Sequence, residues 1–189
     1  MGLLDKVFGR TPPVRAQLDQ LFALPDAALT LESALGLRPT GVGSVSFRAA
    51  EGGASASMTD DVQALLDADG GPAVERSVDS FGYTWLLVRH DVTDLPGLVT
   101  DLHAVNDTLQ ANGFGSSLLC SLLSFTRDDG RKLALVYLYK RGTFYPFAPL
   151  DDQHRDNALE LQVRSALGND LTIESDLARW FPVWGAPGL

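Results

Sequence analysis

Apolar positions along the chain follow two periods, and the switches between them mark out the elements. Leu3, Leu4, Val7 and Phe8 fall at helical spacing, so residues 2–9 predict two amphipathic turns, cut off by Thr11-Pro12-Pro13. So short a helix does not hold by itself; it docks on the domain, frays, or serves as a weak interfacial anchor. Val14, Leu18, Leu21 and Phe22 predict a helix that stops at Pro25, and Asp26 caps a second one carrying Leu31, Ala34 and Leu35 and closed by Gly36. Residues 42–48 predict a short strand and Glu51-Gly52-Gly53-Ala54-Ser55 a flexible loop. Thr59, Asp60 and Asp61 then start a helix that buries Val62, Leu65 and Leu66 and ends at Gly70-Gly71-Pro72.

Period two takes over in residues 74–79 and 83–90, which flank Ser80-Phe81-Gly82 and set Tyr83, Trp85 and Leu87 on one face. Asp94 caps the clearest helix, with an apolar stripe of Leu95, Leu98, Val99, Leu102, Val105 and Leu109, Pro96 in its first turn and Gly113 at its end. Strands at 117–126 and 131–139 flank the turn Asp128-Asp129-Gly130. Lys140-Arg141-Gly142 leads to a third strand, 143–147, whose Pro146 predicts an edge position. Asp151 or Asp152 starts a last helix carrying Ala158, Leu159, Val163, Ala166 and Leu167 and ending at Gly168, and residues 180–189 are irregular.

Strands joined by tight turns pair antiparallel, so the order predicts an α+β fold: an antiparallel sheet of about five to six strands with helices packed mainly on one face. Three stretches follow: residues 1–13 as an amphipathic segment and linker, 14–168 as one α+β domain, and 169–189 as a Trp-rich tail packed on that domain. The length, 189 residues, suits one domain. The single cysteine excludes an internal disulfide and a multi-cysteine zinc site. No apolar run reaches the ~20 residues of a membrane span. The N-terminus lacks the apolar core and cleavage site of a signal peptide, which places the expected location in the cytoplasm, peripheral at most to the inner face of the membrane.

Fifteen Lys and Arg against 24 Asp and Glu give −9, a balance that repels phosphate backbones and argues against nucleic acid as a partner. The charge is uneven: Arg127, Arg131, Lys132, Lys140 and Arg141 crowd residues 127–141, while residues 151–176 are acidic. The crowding is either a solvated face or a basic tip that meets an acidic partner.

Catalytic signatures are missing. His90, His103 and His154 are scattered without metal-ligand spacing, Cys120 sits among leucines like a core residue, and Gly113-Phe114-Gly115-Ser116 follows a helix instead of opening one. The expectation is a protein that is not an enzyme and has no cofactor or metal; an enzyme built on Arg141, Asp156 and Glu160 is the least favoured alternative. Aromatic placement is more informative. Tyr137, Tyr139, Phe144, Tyr145 and Phe147 cluster in one stretch and Trp180, Phe181 and Trp184 in another, beside Lys140 and Arg141. Such rings are either core or the anchors of a binding surface. The candidate partner-binding residues are Tyr139, Lys140, Arg141, Tyr145, Phe147, Arg155, Trp180, Phe181 and Trp184. The candidate membrane contacts are Leu3, Leu4, Val7 and Phe8. A peptide or small-ligand pocket lined by Tyr139, Tyr145, Phe147 and Trp184 is the rival reading.

The same segments carry a family resemblance. Leu21-Phe22-Ala23-Leu24-Pro25, Leu35-Gly36-Leu37-Arg38-Pro39-Thr40-Gly41, the helix from Asp94 to Asn106, Tyr139-Lys140-Arg141-Gly142-Thr143-Phe144-Tyr145-Pro146-Phe147 and Trp180-Phe181-Pro182-Val183-Trp184-Gly185 resemble the PspA-associated protein PspAB family nearly end to end. The resemblance implies a non-enzymatic accessory role beside phage-shock protein A, a coiled-coil envelope-stress protein that binds and maintains membranes. It implies a protein partner, a PspA-like coiled coil, with peripheral membrane contact at most; a homodimer is compatible with it. It carries over no catalytic residue. The element order is also similar to the YbjN and type III secretion chaperone-like folds, an analogy that carries no function.

Overall fold

The computed structural model describes residues 17–49, 53–68 and 73–189. Leu3, Leu4, Val7 and Phe8, with the rest of residues 1–13, lie outside the described residues. Six strands form one antiparallel sheet: β1 (Arg38–Phe47), β2 (Glu75–Val78), β3 (Thr84–Arg89), β4 (Leu118–Thr126), β5 (Lys132–Leu138) and β6 (Thr143–Phe147), in the spatial order β2-β3-β1-β4-β5-β6. Four helices accompany them among the described residues: α1 (Leu24–Leu35), α2 (Gly53–Asp67), α3 (Leu95–Leu109) and α4 (Asn157–Leu167). The α+β class, the antiparallel pairing and the edge position of the Pro146 strand are as the sequence predicts.

Alternation divides the sheet into two apolar faces. One carries Phe47, Leu86, Val88, Leu123, Leu135, Tyr137 and Phe144 and packs against Leu31, Leu98, Leu102 and Val163 of the helices. Gly43 of β1 allows the close approach of α3, since a Cβ there would stand 2.7 Å from Leu102 Cδ1. The other face carries Trp85, Cys120, Leu122, Val136, Tyr145 and Phe147, and its cover is the tail, through Trp180, Val183, Trp184, Ala186 and Leu189. A sheet apolar on both sides needs two covers, and only one is helical here.

Several boundaries differ from the sequence expectation. Pro25 opens α1 instead of ending a helix: a 3-10 stretch, Leu18–Ala23, runs straight into α1, where proline is tolerated because first-turn N–H groups have no helical partner. Asp26 accordingly lies inside the first turn and does not cap it. α2 begins at Gly53, inside the segment read as a loop. β1 begins at Arg38, four residues early, and accommodates Pro39 and Gly41 through an irregular register against β4. α4 is capped by Asp156, whose side chain accepts from Leu159 N; Asp151 instead closes its own turn through Gln153 N and His154 N. No helix among the described residues is long and apolar enough to cross a membrane.

Candidate functional site

The tail reaches the second face by passing the outer edge of β6. There Phe144 N donates to Thr172 O at 2.9 Å and Glu174 N to Phe144 O at 2.7 Å, a short parallel bridge. Two residues on, Pro146 has no N–H to offer, and beyond it Ala148 N donates to Glu160 Oε1 while Ala148 O accepts from Asp156 N. The edge position that Pro146 predicts is therefore flanked at Phe144 and Ala148 by the protein's own chain.

Glu174 is the anchor of this passage. Its side chain is 1% exposed and accepts from Arg141 Nε (3.0 Å), Thr143 Oγ1 (2.9 Å) and Asp176 N (3.1 Å). Burial pushes its carboxyl pKa up, but these donors outweigh burial and hold it below the usual glutamate range. Trp180 follows, buried, with its indole N–H on Glu174 O at 3.0 Å and its ring stacked 6.2 Å from Tyr145. Tyr145 donates its hydroxyl to Phe181 O at 2.8 Å, and Trp184 meets the Phe147 ring edge-on at 4.8 Å. Arg155 closes the set: it pairs with buried Glu160, donates to Trp180 O at 2.7 Å and lies over the Phe147 ring. For Glu160 burial is the larger influence, and its pKa is raised in spite of Arg155.

The structure thus sorts the sequence candidates. Tyr145, Phe147, Arg155, Trp180, Phe181 and Trp184 come together where the tail meets the sheet, with Tyr145, Phe147 and Trp180 buried, Arg155 and Trp184 half-buried and Phe181 exposed. Tyr139 does not join them; it belongs to the helix-covered face, and its hydroxyl donates to Gln110 Oε1. Arg141 is committed to Glu174, and Lys140 stays exposed at the β5–β6 turn. The basic stretch is also split, because its residues lie at opposite ends of β5: Arg127 and Arg131 pair with Asp129, and Arg131 with Asp156 as well. A single basic tip does not exist.

Between the tail and the β2–β3 turn the second face stays open as a cavity of about 320 Å3. Its base is a row across four strands, Trp85, Ser46, Cys120 and Leu138, set side by side by the strand registers. Tyr83, Tyr145 and Trp184 line it further, and the exposed rings of Phe81 and Phe181 stand at its rim. Among the described residues Asp79 is its one charged lining residue: Oδ2 accepts from Trp85 Nε1 at 2.9 Å, and Oδ1 from Phe81 N and Tyr83 N. Burial raises the Asp79 pKa, but the indole and backbone N–H groups prevail and hold it below the usual range. Burial also pushes the Cys120 thiol up to about 12, so it is a neutral surface at this base. Asp79, Phe81, Tyr83 and Trp85 were outside the candidate set. Their signal is a phenylalanine in a turn, next to a strand that alternates aromatic residues.

Elsewhere, His90 bridges Asp94 (2.9 Å) and Asp101 (2.7 Å), fastening the end of β3 to α3. Among the described residues no three of His, Cys, Asp and Glu converge in a metal-binding group.

A family model described as PspAB, PspA associated protein B, matches residues 1–188. No curated protein and no solved structure matches the chain. The YbjN-like and type III secretion chaperone-like analogy therefore gains no support from known structures.

Proposed function

The chain belongs to the PspA associated protein B family, and from that membership we propose that it is a non-enzymatic accessory protein that associates with PspA in the envelope-stress response. The observation that carries this reading is the extent of the match, residues 1–188, which takes in the sheet, the helices and the tail together. The state of the buried carboxylates supports a role without catalysis. Glu160 is engaged by Arg155 and Ala148 N, and Glu174 by Arg141, Thr143 and Asp176 N, so the bonds of each hold up the fold. Contact with PspA is assigned to the end of the sheet where Lys140 offers an exposed cation and Phe181 an exposed ring, a pairing of charge and apolar surface suited to an acidic amphipathic helix. The protein works in the cytoplasm on this reading, and reaches the membrane only through its partner or through peripheral contact.

The test is co-purification of the tagged full-length chain from cells under membrane stress, with bound proteins identified by mass spectrometry. PspA enriched over a tag-only control is the expected result. A preparation that never enriches PspA contradicts the reading.

A further inference from the structure

We propose that the cavity between the β2–β3 turn and the tail is a binding site for a small organic cation, an alkylammonium group with an apolar surface. The proposal shares Phe181 with the surface assigned to PspA but does not rest on that association. Six of the lining side chains are aromatic: Phe81, Tyr83, Trp85, Tyr145, Phe181 and Trp184. They come from three places in the chain, and the strand registers and the tail bring them around one space. The negative π face of an aromatic ring attracts a cation stripped of its water, and this space is bounded by six such rings, of which Tyr83 already carries Arg48 on one face and Tyr145 is stacked on Trp180.

Asp79 supplies the charge. Every hydrogen bond that it accepts comes from a neutral N–H, and among the described residues no cation is ion-paired with it. Its negative charge is thus oriented and uncompensated, in the wall of an aromatic cavity. The bond from Trp85 Nε1 to Asp79 Oδ2 fixes the indole ring and adds electron density to its face. The protein already uses such rings for its own cations, with the Arg48 guanidinium 5.6 Å from the Tyr83 centroid and that of Arg155 5.0 Å from the Phe147 centroid.

Ligand class follows from what the cavity rejects. An anion meets Asp79. A sodium or ammonium ion keeps its water, because the lining offers few oxygens to replace it. A neutral apolar molecule gains burial but no charge interaction. An alkylammonium ion gains both, and the cavity of about 320 Å3 holds one with room for a short substituent.

The experiment is calorimetric titration of the full chain at constant ionic strength with tetramethylammonium, choline and Nε-trimethyllysine, against 3,3-dimethylbutanol, the uncharged carbon isostere of choline. Choline and trimethyllysine side by side distinguish a headgroup-type ligand from a protein-borne one, and saturable binding of either supports the site. The isostere should bind about tenfold more weakly than choline, because it lacks the cation–π and charge terms. Phe81→Ala and Phe181→Ala replace exposed rim rings, so the urea midpoint should stay at that of the parent while affinity for the cation falls. Asp79→Asn keeps an acceptor for the turn and removes the charge, and should also weaken binding. Equal affinity for choline and its isostere overturns the proposal, as does the absence of saturable binding by every cation.

Discussion

Arg141→Glu turns the best-built contact of the tail against itself. The variant replaces a guanidinium 3.0 Å from Glu174 with a second carboxylate, while Glu174 stays buried with only Thr143 and Asp176 N as donors. Two unit charges about 4 Å apart interact by about 4 kcal/mol in the effective dielectric near a protein surface and by about 1 kcal/mol in bulk water. Arg141 is 46% exposed, so water screens the position and the cost falls between these limits. We expect a loss of about 2–3 kcal/mol for Arg141→Glu and about 1 kcal/mol for Arg141→Ala, which leaves the carboxylate short of one donor without adding repulsion.

Urea unfolding followed by tryptophan fluorescence measures both. The pH dependence supplies a second check. Glu174 is held below the ordinary glutamate range in the folded state, so its contribution is present above that range and is lost as pH falls through the lower folded value. The deficit of Arg141→Glu should therefore be largest near neutrality and shrink on acidification below about pH 4.5, where the carboxylates take up protons. If Arg141→Glu unfolds at the same urea concentration as the parent at neutral pH, the pair does not hold the tail and the account of this passage fails.

Two further outcomes follow from half-buried His90 and buried Cys120. Burial alone would lower the His90 pKa, but the bonds to Asp101 and Asp94 raise it above the usual histidine value, so its stabilisation is full in mild acid and is lost as pH rises through the raised folded value. An NMR titration should place His90 above an ordinary histidine, and Asp101→Asn should bring it down; superimposable titrations in the two proteins would refute the bridge. Cys120, buried with its thiol pushed up to about 12, should resist thiol reagents in the native protein and react once urea unfolds it; labelling at equal rates in both states would show that the base of the cavity is open to reagent.

The sheet was legible because its signals are local. Alternation through Tyr83, Trp85 and Leu87, the Asp128-Asp129-Gly130 turn with Gly130 at φ 83° and the missing donor of Pro146 each point to one structure within a few residues. The boundaries that shifted are places where packing overrides propensity. Gly53 and Ala54 resemble loop residues but lie in the first turn of α2, and Pro39 and Gly41 resemble breakers but lie in a strand paired on both sides. The aromatic site was legible in membership but not in grouping. Tyr139 and Tyr145 are close in sequence, yet their side chains fall on opposite faces of the sheet. The link between Arg141 and Glu174 spans 33 positions, and no periodicity encodes a contact between a turn and an irregular tail. Asp79 is illegible in the sequence for a related reason: a single aspartate before a turn reads as turn chemistry, and only the tail folding back makes it part of a cavity.

The central claim is association with PspA, and the most direct measurement uses the two purified proteins alone. In a titration of the full-length chain with PspA at constant ionic strength, the account predicts a saturable complex that weakens as salt rises and weakens further in Lys140→Glu and Phe181→Ala, variants at exposed positions that should leave the unfolding midpoint in place. No complex between the purified proteins, at concentrations where each is folded, would contradict it.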